Sequence, residues 1–182
     1  AQDPKSRVAV ESFGGHGVLM VGGEVTSNAK VDYAEIAKNV YKDIGYDKSL
    51  RILVNVVQQS PDIAQGVDVG GAGDQGIMYG YATDETPEFL PTAVVKVHAL
   101  AKGLEDLRKS GQIPWLKPDG KTQITVLNGE IKTILVSTQH ADNVSQEEIK
   151  SVLTEKLIKP IIGDISNIEI LVNPTGKFAQ GG

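Results

Sequence analysis

Two periods of apolar residues run through the chain. Val18 to Thr26 is apolar and β-branched, interrupted by Gly22-Gly23 with Glu24 just beyond, which predicts a strand with a bulge or close backbone approach at the glycines. Ala34, Ile36, Ala37, Val40, Tyr41 and Ile44 then recur at helical spacing. With Asp32 as N-cap and Gly45 as stop, they predict an amphipathic helix over 33–44. Arg51 to Val57 is a mostly apolar run of strand length. From Gln58 to Gly76 the periodicity gives way to Gly, Asp, Gln, Ser and Pro, predicting a long polar loop, and Ile77 to Thr83 predicts a strand weakened by Gly80.

The second half opens with a helix predicted from near Pro91 to Gly111, with Arg108-Lys109 suited to the negative end of its dipole. Pro114 to Lys121 carries two prolines and predicts irregular backbone. Thr122 to Leu127 and Ile131 to Thr138 flank Asn128-Gly129, a hairpin signal because both turn positions need positive φ. Ser145 and Glu148 form a capping box. They open a helix with Ile149, Val152, Leu153, Leu157 and Ile158 on one face as far as Pro160, before a last strand over 168–172. The order predicts an α+β fold of mixed β-sheets with helices packed on one face, in repeated β-α-β passes without a sequence repeat. Two units are expected, 1–75 with a gating loop and 76–182, interleaved and not independent.

Composition narrows the function. With 40% hydrophobic and 23% charged residues in 182, the chain is globular in character. There is no cysteine, which removes disulfides, thiolate metal sites and cysteine nucleophiles and fits a reducing compartment. A net charge of −5 offers no global attraction to nucleic acid, and no long apolar run suggests a membrane span. A cytoplasmic protein with neither nucleic acid nor membrane as partner is expected. The 20 glycines exceed the usual ~7% and cluster, as backbone near a ligand would require.

Gly70 to Gly76 has neither Walker nor dinucleotide spacing. It reads either as a flexible turn or as backbone that brings Asp74 and Gln75 close to a small polar ligand such as an amino-acid ammonium. Gln58 to Gly66 reads as a solvated loop or a lid. Lys121, after the Asp119-Gly120 turn, suits a phosphate or simply solvent. Glu11 and Glu24 on apolar strands must be solvated, paired or bound to a cation. His16, His98 and His140 share no metal-ligand spacing and read as structural, while Trp115 and Phe178 read as packing residues or ligand platforms.

Several ordered segments nevertheless match one family. Gly22-Gly23-Glu24-Val25-Thr26, Gln59 to Val67, Gly71 to Gly76, Gly80 to Thr86, Pro114 to Lys121, Ser137-Thr138-Gln139-His140 and Asn173 to Phe178 together resemble the S-adenosylmethionine synthetase (methionine adenosyltransferase) family. The resemblance implies joining of methionine and ATP into S-adenosylmethionine, then hydrolysis of the triphosphate to phosphate and pyrophosphate, with Mg²⁺ and K⁺. It further implies that Glu24, Gln59 and Asp74 hold methionine and that Glu11 is the potassium carboxylate. Asp119 and Lys121 would lie at the ATP, Lys121 as the catalytic cation beside the triphosphate, while Thr175, Lys177 and Phe178 contact the adenosine. Homodimers or tetramers with active sites between subunits are implied as well.

The chain departs from the family in charge. It holds neither the G-H-P-D-K motif that precedes this region in the family nor the later G-D-x-G-L-T-G-R-K segment, so the resemblance implies a partial chain. Ser12 to Gly17 replaces a threonine-rich stretch, and Val67 to Gly71 is short. One lysine cannot neutralise a departing triphosphate, where metal and several cations usually share the work. The expected function is therefore methionine adenosyltransferase, with this chain supplying methionine and adenosine contacts. The alternative is a non-catalytic regulatory or interaction subunit of a synthetase.

Overall fold

The computed structural model describes residues 2–46 and 48–181, and the chain divides into two units, one running to Tyr79 and the other over Gly80–Gly181. In the first, β1 (Arg7–Gly15) and β2 (Val18–Thr26) form an antiparallel hairpin. His16 and Gly17 at its turn both have positive φ, 50° and 82°. β1 was not foreseen as a strand of its own, although Glu11 was expected on or near one. Helix α1 (Tyr33–Ile44) follows the predicted bounds: the Asp32 carboxylate accepts from the Glu35 N–H at 2.9 Å, and Gly45 turns left-handed at φ 106°. The Gly45 and Tyr46 N–H groups donate back to the Lys42 and Tyr41 carbonyls, which closes the helix end. β3 (Arg51–Gln58) then pairs parallel with β2.

Gly23 is the tightest point of this sheet. Its φ is 140°, and a Cβ there would lie 2.0 Å from the Ala9 carbonyl oxygen of the neighbouring strand. The close approach expected at the glycine pair is therefore a steric requirement of the β1–β2 register, and Glu24 is fixed next to it.

The polar stretch after β3 is not all loop. Helix α2 (Pro61–Val67) occupies part of it, with Pro61 in its first turn and the Ser60 hydroxyl accepting from the Asp62 N–H at 3.2 Å. Two turns are too short to generate apolar periodicity, and the Ser-Pro-Asp start signal was the available clue. The chain then folds back, the Gly71 N–H donating to the Gly66 carbonyl at 3.0 Å. The strand expected over 77–83 is absent. Ile77, Met78 and Tyr79 are 94–96% exposed and no strand pairs with them. β-propensity without a partner ladder does not make a strand, and Gly76 and Gly80 flank the run.

The second unit opens with α3 (Thr92–Lys109), whose first turn is capped from a distance: the Thr92 N–H donates to Glu85 Oε2 at 3.0 Å. That bond, foremost, holds the Glu85 carboxyl below its ordinary range. β4 (Leu116–Leu127) and β5 (Glu130–His140) form the expected hairpin, with Asn128 and Gly129 at φ 52° and 81°. β4 begins inside the proline-rich stretch expected to be irregular. Leu116 pairs with His140 and Gly120 with Thr138, so the three residues 117–119 bulge out and Pro118 needs no ladder donor.

Helix α4 (Gln146–Leu153) starts where expected, the Ser145 hydroxyl accepting from the Glu148 N–H at 3.1 Å. It does not stop at Pro160. A π turn over Thr154–Ile158 leads into α5 (Lys159–Ile162). Proline offers no N–H to the carbonyl four residues back and crowds it, and the widened turn relieves both problems. β6 (Glu169–Val172) pairs parallel with β5, Val136 opposite Val172.

Both three-stranded sheets therefore have one plan, a hairpin followed by a helix and a third strand parallel to the hairpin's second. Burial differs. In the second unit Ile134 and Val136 of β5 meet Leu100 and Leu104 of α3 and Ile149, Leu153, Leu157 and Ile158 beyond Ser145 in one core. In the first, Val21 is the one buried side chain among the described residues.

Gly23→Ala should destabilise the protein by about 2–4 kcal/mol, combining backbone strain with a clash that only strand displacement relieves. Gly15→Ala, where a Cβ meets nothing within 4 Å, is the control expected to stay near wild type. Urea unfolding of both variants measures the difference.

Candidate functional site

Residues on one face of the second sheet, together with the turn after β6, enclose a groove of about 570 Å³. Its floor follows from the pleat. Ile134, Val136, Thr138 and His140 of β5 are buried, so the alternate residues Leu135 and Ser137 face away from the helices. Their cross-strand partners on β4 are Gln123 and Lys121. All four line the groove.

Its wall depends on Asn173. This residue has φ 42° and is buried. Its N–H donates to the Val136 carbonyl at 3.0 Å. Its side chain then imitates one more strand residue: Oδ1 accepts from the Thr138 N–H at 2.8 Å, and Nδ2 donates to the Thr138 carbonyl at 3.1 Å. With sheet pairing continued by a side chain, the backbone is released to turn. The Gly176 N–H closes that turn on the Asn173 carbonyl at 2.8 Å, with Gly176 at φ 100°. Thr175, Lys177 and Phe178 emerge beside the groove and line it with Lys121.

Lys177 has a partner at rest. Its ammonium lies 2.5 Å from Asp142, and both side chains are largely exposed. The hydrogen bond from Lys177, and secondly its charge, hold the Asp142 carboxyl below its ordinary 3.8.

Of the residues singled out in the sequence, Lys121, Thr175, Lys177 and Phe178 come together at this groove. Asp119 sits in the β4 bulge two residues before Lys121 and is not among the lining residues. Glu24, Gln59 and Asp74 belong to the first unit. Glu24 stands opposite Ala9 and Glu11 opposite Gly22, so both carboxylates project from the same sheet face on adjacent strands. Glu24 is half-buried and Glu11 exposed. The Gln59 N–H donates to the Val25 carbonyl at 3.3 Å, and its Oε1 accepts from Arg7 Nε at 3.3 Å; Arg7 also pairs with Asp68 beyond α2. Asp74 is exposed, accepting from the Gln75 N–H at 2.7 Å.

Gln59 and Asn173 hold corresponding places, each donating its N–H to the parallel neighbour as the chain leaves the third strand. Sequence reasoning gave Asn173 no role of its own and passed over Gln123 and Leu135. The period of two on either side of Asn128-Gly129 was the signal that could have joined Gln123 and Leu135 to Lys121.

Among the described residues no group of three or more His, Asp or Glu side chains lies together as a metal ion would need. The described residues therefore build no all-protein cage for a divalent ion.

The family model for the S-adenosylmethionine synthetase central domain matches residues 69–178, and that for the N-terminal domain matches residues 1–63. The chain belongs to the S-adenosylmethionine synthetase family. The α+β architecture with mixed sheets agrees with that membership. The synthetase groove lies wholly within the central-domain match, and Glu11, Glu24 and Gln59 lie within the N-terminal one.

The Asp142–Lys177 pair gives a pH prediction. A depressed carboxyl pKa means the pair is intact above the ordinary aspartate range and is lost as pH falls through the lowered value. Carboxyl-detected NMR of Asp142 should give a midpoint below 3.8 that returns toward it in Lys177→Ala.

Proposed function

We propose that this synthetase chain takes part in methionine adenosyltransfer, forming S-adenosylmethionine from methionine and ATP, and that its groove receives the nucleotide. The observation that carries the reading is the convergence of Lys121, Lys177 and Phe178 on one groove. A purine can stack on an aromatic ring while its phosphates meet ammonium groups, and few other metabolites present both features. Phe178 stacks on the base, Thr175 and Lys177 contact the adenosine, and Asp119 and Lys121 lie at the ATP, Lys121 beside the triphosphate. Glu24, Gln59 and Asp74 hold methionine, Asp74 by pairing with its ammonium, while Glu11 contributes to potassium binding and residues 59–66 gate the site. The family's arrangement, a homodimer or tetramer with active sites between subunits, is proposed for this chain as well.

In the reaction the methionine sulfur attacks the ribose C5′ in line, forming the S–C5′ bond as the C5′–O bond to the triphosphate breaks. The triphosphate is then hydrolysed to phosphate and pyrophosphate. No covalent enzyme intermediate is needed. The residues of this chain act by orienting the sulfur and by balancing negative charge on the leaving oxygen. Lys121 is the free cation of that pair in this reading, because Lys177 already faces Asp142. Two lysines, one of them partly neutralised, fall short of a triphosphate's charge. Mg²⁺ and cationic groups beyond this groove would supply the rest. Among these residues no helix is long and apolar enough to cross a membrane, and the acidic balance gives no reason to invoke nucleic acid.

Product formation followed by mass spectrometry tests the reading. The 182-residue chain alone should form no S-adenosylmethionine, and segments carrying the G-H-P-D-K and G-D-x-G-L-T-G-R-K motifs should restore it. In the restored enzyme Lys121→Ala should lower kcat by about 10²–10³-fold. Asp74→Asn should raise the methionine KM while leaving the unfolding midpoint nearly unchanged. Unaltered kinetics in both variants would end the assignment.

A further inference from the structure

His140 is the last residue of β5, buried at 3% exposure, and both of its ring nitrogens are engaged. Nδ1 lies 2.8 Å from the Ala141 carbonyl oxygen. A carbonyl can only accept, so Nδ1 carries the proton and Nε2 presents a lone pair. That lone pair accepts from the Phe178 N–H at 3.0 Å. The His140 N–H in turn donates to the Phe178 carbonyl at 3.0 Å. One residue thus takes both backbone polar groups of Phe178, one through its main chain and one through its ring. The neighbouring Gln139 Nε2 donates to the Ala179 carbonyl at 3.0 Å and holds the next residue as well.

We infer that His140, as its neutral Nδ1–H tautomer, is a positioning residue that sets the Phe178 ring in the groove for the nucleotide base. The inference rests on the adenosine role proposed for Phe178. Its physical basis is the direction of the Cα–Cβ bond. With N–H and C=O of Phe178 both fixed, the Cα–Cβ bond leaves the backbone in one direction and the ring keeps only its side-chain rotamers, while the Asn173 turn fixes the other end of the same six-residue span. His140 is remote from the reacting atoms in this scheme and acts through Phe178 alone.

The test uses the full-length enzyme with two substrates, ATP and inorganic tripolyphosphate, the second of which has no base to stack. His140→Phe keeps a flat ring and removes the acceptor. It should raise the ATP KM by about 10-fold, the scale of one base–aromatic stack, and leave the tripolyphosphate KM unchanged. Phe178→Leu should do the same, and the double variant should be no worse than either single one. His140→Gln, which restores an acceptor, should recover most of the ATP affinity. Equal loss with both substrates, or additive effects in the double variant, would overturn the inference. If Phe178→Leu raises the ATP KM while His140→Phe does not, the positioning role alone fails. If Phe178→Leu leaves it unchanged, the adenosine reading itself fails. Should His140→Phe not fold, imidazole ¹⁵N shifts of the wild-type protein decide: protonated Nδ1 with Nε2 coupled to the Phe178 amide supports the role, and the opposite tautomer refutes it.

Discussion

The second unit depends on the two-residue period of β5. Even-numbered side chains from Ile134 to His140 are buried, and the odd-numbered Leu135 and Ser137 floor the groove. Because side chains alternate strictly in a strand, hydrophobic burial on one side fixes the composition of the other. A slip of β5 by one residue against β4 would expose Ile134 and Val136 and bury Ser137 at once. Core packing and the groove floor therefore share one constraint, and the turn after β6 adds the wall.

The first unit repeats the plan without the same degree of burial. Its sheet carries Met20, Leu53 and Val57 on the face that holds Glu11 and Glu24, each of these apolar residues 43–54% exposed. Glu11 stays exposed and Glu24 is half-buried among these accessible apolar side chains, and covering that face would raise the cost of leaving either carboxylate unpaired. In the second unit the chain leaves β6 with an amide side chain in place of a backbone pair. In the first it leaves β3 through Gln59, whose amide turns to Arg7. The same topological exit thus serves two chemistries.

Local signals explain most of what could be read in advance. Asp32, Gly45, Ser145 and Asn128-Gly129 each act within a few residues, through one cap bond or one positive φ, and each was legible. The misses depend on partners remote in sequence. Ile77 to Thr83 has the composition of a strand but no ladder, and β4 starts within a proline-rich segment because the bulge at 117–119 removes Pro118 from the pairing. Four groove residues were legible through family motifs, as Lys121, Thr175, Lys177 and Phe178. The structural work of His140 and Asn173 was not, since it lies in bonds spanning 38 and 35 residues.

The π turn ahead of Pro160 has a geometric consequence for the whole helical layer. Nine residues of regular helix would rotate Ile158 by roughly 180° from Ile149, onto the solvent side. Yet both are fully buried, and Ile161 and Ile162 pack against the same core. One residue of extra winding resets the azimuth, so a single helix axis presents two successive apolar stripes to one sheet. The proline acts here less as a terminator than as a phase marker, and shortening this turn by a residue would rotate everything after it out of register with the β-layer.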